Sequence, residues 1–473
     1  MFTRRRALAL GFTMLAGLAV PLGANQLHGS DQLDIAGYDG TAKVLIRDAS
    51  MVLTMDPAVG QGALGMLQDA DVLMTKNTIT AVGKDLPATA GARVIDGRGK
   101  IVMPGFVDLH THTWQSLIRG CATDKELNGW LAECVLPLYG NQPAYAEGYA
   151  GTRLSALDAI GTGITTTTDW SHSFSADFAN GSLKALADSK LRFFFSYTAN
   201  TKPATLDEIR RVKKEVIDPN PLAHLQVGQH PTLQNLASTA AAENLAKELG
   251  VALNVHVHES KTDPATGQME ALRKVGAMRP GLLMNHAVQM TDAELDELAA
   301  NDIRVAHNPL SNMRLASGVI RLPEMASRGI KVGLGIDGGT NDTTDMFNDM
   351  RAAVGLQRAT AMDPTRYPQP ADVLRMATLG GAEALGIDKE IGSLTPGKKA
   401  DLQIIDPQAL NFAPNGNWVS QLVFNAQPVN VKWVFVNGVA VKRDGHLVGV
   451  DTAKVIRDAD AASDRIDVLL GRN

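Results

Sequence analysis

Short apolar runs recur through the middle of the chain and alternate with stretches whose apolar residues follow helical spacing. The runs occupy residues 164–168, 193–197, 225–228, 252–257, 282–284, 303–306 and 331–335. Helical stretches lie between them, for example 239–249 and 292–300, and Thr291 precedes the second one as a capping residue. Together with the run before His110, this alternation predicts an α/β fold in which a parallel sheet closes as a (β/α)₈ TIM barrel.

The sequence on either side of this region has a different residue pattern, in which short β-rich runs are separated by turns. These runs are residues 43–46, 71–74, 93–97, 400–405 and 431–438. Because β-rich ends can pair with each other, we predict a small β-sandwich domain built from residues 42–100 and 392–450. The barrel then occupies residues 101–391.

Residues 1–24 differ from the rest of the chain. Arg4, Arg5 and Arg6 precede an uncharged stretch rich in Ala, Leu and Gly that ends in small residues. A basic segment, an apolar segment and a small residue at the cleavage site are typical of an export signal, here resembling the twin-arginine type. A membrane anchor is the alternative, but the apolar stretch is short for a span. We therefore predict a periplasmic protein without stable membrane insertion after signal removal.

The overall composition narrows the class of ligand. The 473 residues are 45% hydrophobic and 20% charged, and the formal charge of −5 comes without a long run of one sign. This excludes the basic surface of a nucleic-acid-binding protein and favours a small-molecule substrate that is neutral or weakly charged. Cys121 and Cys134 are the only cysteines, so we predict no disulfide framework.

Polar residues that can bind a metal follow the ends of the predicted strands. His110 and His112 come after the first strand, His256 ends the fifth, His286 the sixth and Asp337 the eighth. Active sites of (β/α)₈ barrels are built at the carboxyl ends of the strands, so we expect these side chains to converge. Neutral imidazoles and a carboxylate suit zinc, iron or cobalt and leave a position for water, whose pKa such an ion lowers to about 7.

The segment around the first histidines resembles a known signature. Residues 103–112, Met-Pro-Gly-Phe-Val-Asp-Leu-His-Thr-His, are similar to the signature of the amidohydrolase superfamily. More narrowly, the chain resembles the branch that contains S-adenosylhomocysteine/methylthioadenosine deaminases and triazine hydrolases. The supporting stretches are 94–100, 118–120, 130–131, 254–259, 285–288, 307–312, 335–338 and 392–402. The resemblance covers residues 43–450.

The resemblance implies a role for each residue at the strand ends. The ligands of a single divalent ion, zinc before iron or cobalt, would be His110, His112, His256 and Asp337. Glu259 would act as the general acid, while His286 and Asp337 would orient and deprotonate the attacking water. His258 shares a strand face with His256, but the spacing to Glu259 selects His256 as the ligand.

The same resemblance places further residues near the site. Trp130 is expected to cover the substrate pocket, and His230 corresponds to a substrate-contacting histidine; a structural role is the alternative for each. Asp169 and His172 end the second strand, where they either face the site or support the fold. The fourth strand ends without the lysine that bridges two metals in other members, so we predict one ion. The family is often dimeric, and we expect a homo-oligomer.

Together these residues predict a metal-dependent hydrolase that deaminates a heteroaromatic amine of the purine, pterin or triazine type. The alternative is that the same water cleaves an amide, urea or thiocarbamate bond, or displaces a ring chlorine. The segment after Asp337 departs from the resemblance, because it lacks the Ser-Asn-Asn-like stretch of nucleoside deaminases. A catalytically inactive barrel that serves as a binding or assembly protein is disfavoured. Inactive relatives usually lose metal ligands, and this sequence retains all four.

Overall fold

The computed structural model describes residues 38–87, 90–341 and 343–472. The predicted export signal of residues 1–24 lies outside this part of the chain. Within the part described, no helix is both long and apolar enough to cross a membrane.

The strands before the barrel lie in two small sheets. They are β1 (Lys43–Ala49), β2 (Met51–Leu53), β3 (Met66–Leu67), β4 (Ala70–Thr75), β5 (Thr78–Gly83), β6 (Arg93–Asp96) and β7 (Ile101–Pro104). The first sheet has the strand order β5-β4-β1-β6. The second contains β2, β3 and β7 and is completed by strands from the other end of the chain.

Eight parallel strands form the barrel, each paired with its neighbour in sequence. They are β8 (Phe106–Thr111), β9 (Ile164–Ser171), β10 (Arg192–Thr198), β11 (Ala223–Gln229), β12 (Ala252–Val257), β13 (Leu283–His286), β14 (Arg304–His307) and β15 (Val332–Leu334). The sheet closes where a parallel bridge joins Thr111, at the end of β8, to Asp337, beyond β15. The predicted (β/α)₈ barrel is therefore confirmed.

Helices follow the barrel strands along the chain. They are α1 (Leu127–Cys134), α2 (Pro137–Gly140), α3 (Tyr145–Gly161), α4 (Ala176–Ser189), α5 (Pro203–Val212), α6 (Leu236–Leu249), α7 (Gln268–Lys274), α8 (Asp292–Ala300), α9 (Pro309–Arg314), α10 (Leu322–Ser327), α11 (Met346–Ala361), α12 (Pro370–Arg375) and α13 (Gly381–Leu385). Single turns of 3-10 or π-helix occupy Thr113–Ile118, Lys213–Ile217, Asp263–Thr266, Met376–Gly380 and Pro428–Asn430.

The residues at the start of α8 determine where this helix begins. The hydroxyl of Thr291 accepts the backbone N–H of Glu294 at 3.3 Å, and the Glu294 carboxylate accepts the N–H of Thr291 at 2.9 Å. This reciprocal pair is a capping box, which satisfies donors that the first turn leaves free. The helix has the bounds predicted from the sequence, whereas α6 begins earlier than predicted, at Leu236.

After the barrel the chain returns to the small sheets. The elements are β16 (Leu402–Ile405), α14 (Trp418–Phe424), β17 (Val431–Val436), β18 (Val439–Arg443), β19 (His446–Leu447) and α15 (Thr452–Leu469). The second sheet has the order β19-β18-β17-β16-β7-β2-β3, so both chain ends share it. Val44 and Val72 of the first sheet pack with Leu402, Ile404 and Phe435 of the second in one apolar core. The predicted β-sandwich from both ends is confirmed.

One apolar run changes sheets partway along its length. Residues 101–107, predicted as one strand, divide at Gly105, so that β7 belongs to the sandwich and β8 opens the barrel. A Cβ atom at Gly105 would lie 2.1 Å from Cγ2 of Thr165. Only glycine permits this close approach of backbone to side chain. The sequence conceals the division because both halves are apolar and buried.

The C-terminal helix α15 was not predicted from the sequence. It packs against α3 and against the turn Thr113–Ile118. Ala459, Ala462 and Ile466 are buried along one side of the helix, at the spacing of an amphipathic helix. The hydroxyl of Ser463 donates to the carbonyl of Leu117 at 2.7 Å. The last helix therefore supports a turn that follows directly after the first barrel strand.

Cys121 and Cys134 form a disulfide bond, with Cα atoms 6.2 Å apart. This separation is within the usual range for such bonds. The bond connects the last residue of α1 to the segment after the turn Thr113–Ile118. We expected no disulfide framework, and the chain has instead one local cross-link between its only two cysteines.

A buried ion pair joins the barrel to the sandwich. Arg192 donates from Nε and Nη2 to the Asp401 carboxylate at 2.8 and 3.2 Å. The two side chains are 2% and 1% exposed. The backbone N–H of Asn437 donates to the same carboxylate at 2.6 Å. Since both charges are out of water, removal of one leaves the other without compensation.

Arg192→Met is expected to lower the free energy of unfolding by about 3–5 kcal/mol, because the Asp401 carboxylate then stays buried without a cation. Urea unfolding followed by circular dichroism measures this loss. The matched control is Arg210→Met, since the Arg210–Glu248 pair is 40% and 50% exposed and surface pairs contribute little. An equal loss of stability in both variants would contradict the role given to the buried pair.

Candidate metal centre

Five polar residues lie where the sequence predicted them, at the carboxyl ends of barrel strands. His110 is in β8 and His112 follows that strand, His256 is in β12, His286 ends β13, and Asp337 follows β15. All of them are buried, with at most 7% of the residue exposed. Residues distant in sequence thus meet at one end of the barrel.

The ligand atoms of four of these residues converge on one point. Nε2 of His256 lies 3.3 Å from Nε2 of His112. Oδ1 of Asp337 lies 3.5 Å from Nε2 of His110 and 3.5 Å from Nε2 of His112. Ligands of a tetrahedral zinc site with bonds of about 2.0–2.1 Å are separated by roughly 3.3 Å. The three separations are close to this value.

The hydrogen bonding of the histidines also fits a cation. Both ring nitrogens of His110 and Nδ1 of His256 are buried, and no residue in the described part of the chain forms a hydrogen bond with them. A buried polar atom without a partner is costly, and a bound cation at His110 offsets part of that cost. The groups of side chains close enough to share one ion are His110-His112-His256 and His110-His286-Asp337. These residues form a site for a divalent metal ion.

Two residues of the site have a backbone conformation that is costly for their type. The angle φ is 71° at His286 and 62° at Asp337, in the left-handed region. Each such residue costs of order 1–3 kcal/mol, and this kind of strain clusters at functional sites. Two hydrogen bonds of 2.6 Å hold Asp337 in this conformation. Its N–H donates to the carbonyl of His110, and its carbonyl accepts from the hydroxyl of Thr111.

Asp108 connects the first, second and last barrel strands next to the ligands. Its carboxylate accepts from the Thr167 hydroxyl at 2.6 Å, from the N–H of Ile336 at 2.9 Å and from the N–H of His110 at 3.1 Å. Burial raises the pKa of Asp108 to about 7, while these hydrogen bonds oppose the rise. The residue holds the backbone on both sides of the seam at which the barrel closes.

The orientation of His112 is set by a backbone group. Its Nδ1 lies 2.6 Å from the carbonyl oxygen of Trp170. A carbonyl only accepts, so Nδ1 carries the proton and Nε2 keeps its lone pair for a metal. Burial lowers the pKa of His112 to about 3. The ring is therefore neutral, as metal binding requires.

Glu259 and His286 form a second pair at the same site. Oε2 of Glu259 lies 3.4 Å from Nε2 of His286, which lies 4.0 Å from Oδ2 of Asp337. Burial raises the pKa of Glu259 well above its ordinary value, and the charges of Asp337 and Asp263 raise it further. A raised pKa favours the protonated carboxyl group, which is the form that a general acid needs. The Asp263 carboxylate fixes the backbone there by accepting the N–H of Glu259 at 2.9 Å.

Two asparagines bind the other nitrogen of His286. Nδ2 of Asn312 lies 2.9 Å and Nδ2 of Asn308 lies 3.2 Å from Nδ1 of His286. Because Nδ1 accepts, Nε2 carries the proton and is directed toward Glu259. Sequence reasoning cited these asparagines only as part of a resemblance. The sequence signal for this role was a pair of asparagines that follow the end of β14, one directly and one within α9.

A small cavity of about 60 Å³ lies beside the ligands. Its wall contains Trp130 and His230, the predicted substrate contacts, and also His172, for which the sequence left two roles open. The remaining wall residues outside the ligand set and its acid–base pair are Gln115, Leu127, Leu131, Leu315 and Thr340. Sequence reasoning did not find the leucines, because nothing in their spacing separates a cavity wall from an ordinary core.

Asp169 and His258 are not part of that wall. The Asp169 carboxylate accepts the N–H of Thr113 at 3.0 Å, and burial raises its pKa to about 7. His258 has φ of 50°, which turns the chain away from the strand direction, and its Nδ1 lies 3.8 Å from Oε2 of Glu294. Of the two histidines in residues 254–259, the structure brings His256 to the other ligands.

A (β/α)₈ barrel with histidines and an aspartate around one point at its carboxyl end defines a class of metal-dependent hydrolases. The chain belongs to the amidohydrolase family, and the match covers residues 101–441. The resemblance noted in the sequence is therefore confirmed.

Two relatives are similar over most of the chain. A 5'-deoxyadenosine deaminase of Methanococcoides burtonii is 34% identical over 451 residues, which cover 91% of this chain and 100% of the relative. A 5-methylthioadenosine/S-adenosylhomocysteine deaminase of Nitratidesulfovibrio vulgaris is 35% identical over 404 residues, with 82% and 90% of the two chains covered. Both lie in the branch that the sequence resembles.

Two solved structures are similar in fold. An adenosine deaminase from Xanthomonas campestris with bound zinc has a TM-score of 0.82 and 27% identity, with 90% of this chain and 98% of the other covered. An atrazine chlorohydrolase from Arthrobacter aurescens complexed with zinc has a TM-score of 0.80 and 23% identity, with 89% and 100% covered. The second likeness concerns the fold alone.

His110→Ala is expected to reduce bound metal from about one ion per chain to a trace and to abolish turnover, because tetrahedral sites need every protein ligand. Mass spectrometry of metals in the purified protein measures this loss. The control is His258→Gln, which alters a buried histidine outside the ligand set and should keep its metal. A full complement of metal in His110→Ala would contradict the ligand assignment.

Proposed function

We propose that the protein is a zinc-dependent deaminase that hydrolyses the amine of a heteroaromatic ring of the purine, pterin or triazine type. The observation that carries this proposal is the buried carboxyl group of Glu259, 3.4 Å from His286, whose pKa is raised by its burial. An aromatic carbon releases ammonia only after it has become tetrahedral, which requires a proton on the adjacent ring nitrogen. A carboxyl group with a raised pKa is suited to supply that proton.

The activities named for the similar proteins support this choice of reaction. The two relatives are deaminases of 5'-deoxyadenosine and of 5-methylthioadenosine/S-adenosylhomocysteine. Each of these molecules carries its amine on a purine ring. The adenosine deaminase of similar fold holds zinc, which favours zinc over iron or cobalt at the four ligands here.

In the proposed mechanism the four ligands and Glu259 have separate tasks. A zinc ion held by His110, His112, His256 and Asp337 supplies Lewis acidity, which lowers the pKa of a water molecule to about 7. Glu259 donates its proton to the ring nitrogen next to the amine, which makes the ring carbon electrophilic. The ionised Glu259 would then accept the proton that Asp337 took from the water and deliver it to the amine, which leaves as ammonia. The hydroxyl on the ring carbon would return its proton to Glu259 as the carbonyl forms.

His286 and Asp337 orient the attacking water. Nε2 of His286 carries a proton, since Nδ1 is occupied by Asn312. That N–H is placed between the carboxylates of Glu259 and Asp337, 3.4 and 4.0 Å away. A neutral donor in this position directs the lone pairs of water, while Asp337 accepts the proton that the water loses. The neutral His286 thus aligns the nucleophile, and the Asp337 carboxylate supplies the base.

The competing reactions use the same water on another bond. Hydrolysis of an amide, urea or thiocarbamate does not require a proton on an aromatic ring nitrogen, whereas displacement of a ring chlorine can use one but releases chloride in place of ammonia. The raised pKa of Glu259 favours attack on a heteroaromatic ring, and the deaminase relatives favour an amine over chlorine as the leaving group.

The proposal is tested by ammonia release from zinc-loaded protein with adenine, 5'-deoxyadenosine, a pterin and melamine, beside a urea and a chlorotriazine. Glu259→Gln is expected to keep its zinc and to lose about 10²–10⁴-fold in kcat, the usual contribution of a general acid. The control, Glu270→Gln, removes an exposed carboxylate on α7 that pairs with Lys274 and should leave kcat unchanged. Chloride release or cleavage of the urea, without ammonia from any amine, would refute the deaminase proposal.

We also propose that the protein is exported. The arginines and apolar stretch of residues 1–24 suggest this location. The bond between Cys121 and Cys134 supports it, since disulfides persist mainly in oxidising compartments such as the periplasm. An exported deaminase suits the scavenging of an external compound.

Replacement of Arg4, Arg5 and Arg6 by lysine is expected to retain the protein in the cytoplasm, because the twin-arginine route depends on the arginine pair. Immunoblots of periplasmic and cytoplasmic fractions measure the distribution. Arg98→Lys is the control, since Arg98 is an exposed residue of the sandwich that pairs with Asp96. Unchanged export of the lysine variant would exclude this route.

A further inference from the structure

Two N–H groups in the cavity wall take no part in the reaction proposed above. They belong to His172 and Trp130, which line the cavity with Glu259 and the metal ligands. His172 follows β9, and Trp130 is in α1. Both residues are buried, His172 with 4% and Trp130 with 3% of the residue exposed.

The protonation of His172 follows from its neighbour. The indole Nε1 of Trp114 donates to Nδ1 of His172 at 3.0 Å. An indole nitrogen only donates, so Nδ1 of His172 has no proton, and the neutral ring must carry its proton on Nε2. Among the residues that the structure describes, none accepts from this Nε2. His172 is thereby a fixed donor beside the ligand His112, whose ring centroid is 4.7 Å away.

Trp130 is a donor by its chemistry alone. Its Nε1 is buried and, within the described residues, has no hydrogen-bond partner. A buried tryptophan N–H usually finds a partner, because leaving it unpaired costs free energy. Because Trp130 lines the cavity, an acceptor that the substrate brings there would satisfy this N–H.

The rest of the wall does not suit a sugar. Leu127, Leu131 and Leu315 are apolar, and no described Lys or Arg is among the lining residues. The only carboxylates there are Glu259 and Asp337, which already have roles in the reaction. The vicinal hydroxyls of a ribose need acceptors when they are buried. The other polar side chains of the wall already have partners: Gln115 accepts the N–H of Gly339 at 2.7 Å, the hydroxyls of Thr340 and Ser311 are 2.9 Å apart, and His230 stacks on His256 with ring centroids 4.5 Å apart.

We propose that His172 and Trp130 are a pair of donors that binds ring-nitrogen or carbonyl acceptors of the substrate, and that the substrate is a free heteroaromatic amine rather than its nucleoside. This inference rests on the proposed deaminase function and specifies its substrate class. Both groups touch the ring at positions other than the carbon that is attacked. The two donors select for a planar ring with acceptors along its edge. A ring without such an acceptor leaves an N–H unpaired and therefore binds more weakly.

The choice between free base and nucleoside is tested first with the wild-type enzyme. Its kcat/KM for adenine is expected to exceed that for 5'-deoxyadenosine by at least about 10-fold, the effect of leaving one polar group unpaired. Equal or better turnover of the nucleoside would overturn the substrate class.

The donor pair is tested by binding, so that the result does not depend on turnover. Calorimetry in the zinc-loaded Glu259→Gln background measures the Kd of adenine, 3-deazaadenine and 7-deazaadenine, each deaza analogue lacking one ring acceptor. Trp130→Phe keeps the aromatic ring and removes the N–H, and it should weaken adenine binding by about 5–100-fold. His172→Asn keeps an acceptor for Trp114 and removes the Nε2 donor, with an effect of the same size.

For the deaza analogue that lacks the ring nitrogen bound by the deleted donor, each variant should have the same Kd as the parent. The control for loss of a tryptophan is Trp433→Phe in the sandwich, where Trp433 packs in a separate core, and it should bind all three bases as the parent does. Variants that retain zinc but bind every base as tightly as the parent would refute the donor pair. Absence of ammonia from every amine, with these binding differences intact, would instead refute the deaminase proposal alone.

Discussion

Closure of the barrel is the constraint on which the site depends. The last strand meets the first through the bond from the Asp337 N–H to the His110 carbonyl and through the Thr111 hydroxyl, which donates to the Asp337 carbonyl. These contacts place a carboxylate from one end of the barrel sequence against imidazoles from the other. Asp108 secures the same seam from inside by accepting the N–H groups of Ile336 and His110. A barrel left open at this seam would separate Asp337 from His110.

The electrostatics of the site follow from its burial. Loss of water disfavours every charged form, so it lowers the pKa of His112 to about 3 and raises that of Glu259. One environment therefore favours a neutral His112 for a metal and the protonated form of Glu259 for the reaction. Asp337 is different: burial would raise its pKa, but the nearby rings of His110, His286 and His112 hold it below its ordinary value. A carboxylate beside imidazole nitrogens is the arrangement that a divalent cation stabilises.

Much of the fold and most of the candidate ligands were predictable from sequence, because each signal was local. A histidine after an apolar run fixes its own position at a strand end, and Thr291 with Glu294 fixes the start of α8. The features that were missed depend on contacts between distant segments. The division of residues 101–107 depends on Thr165 approaching Gly105, and the burial of α15 depends on a turn more than 300 positions earlier. The donor state of His172 is set by Trp114 across two loops, which no spacing reveals.

The disulfide bond restrains only one end of the helix that covers the cavity. Cys134 is the last residue of α1, whereas the other end is capped only by the exposed Glu126, whose side chain accepts the N–H groups of Asn128 and Gly129. A space of about 60 Å³ has to widen before a heterocycle can enter. The cross-linked end of α1 is therefore the more constrained one, and entry on the side of Leu127 would leave the disulfide bond in place.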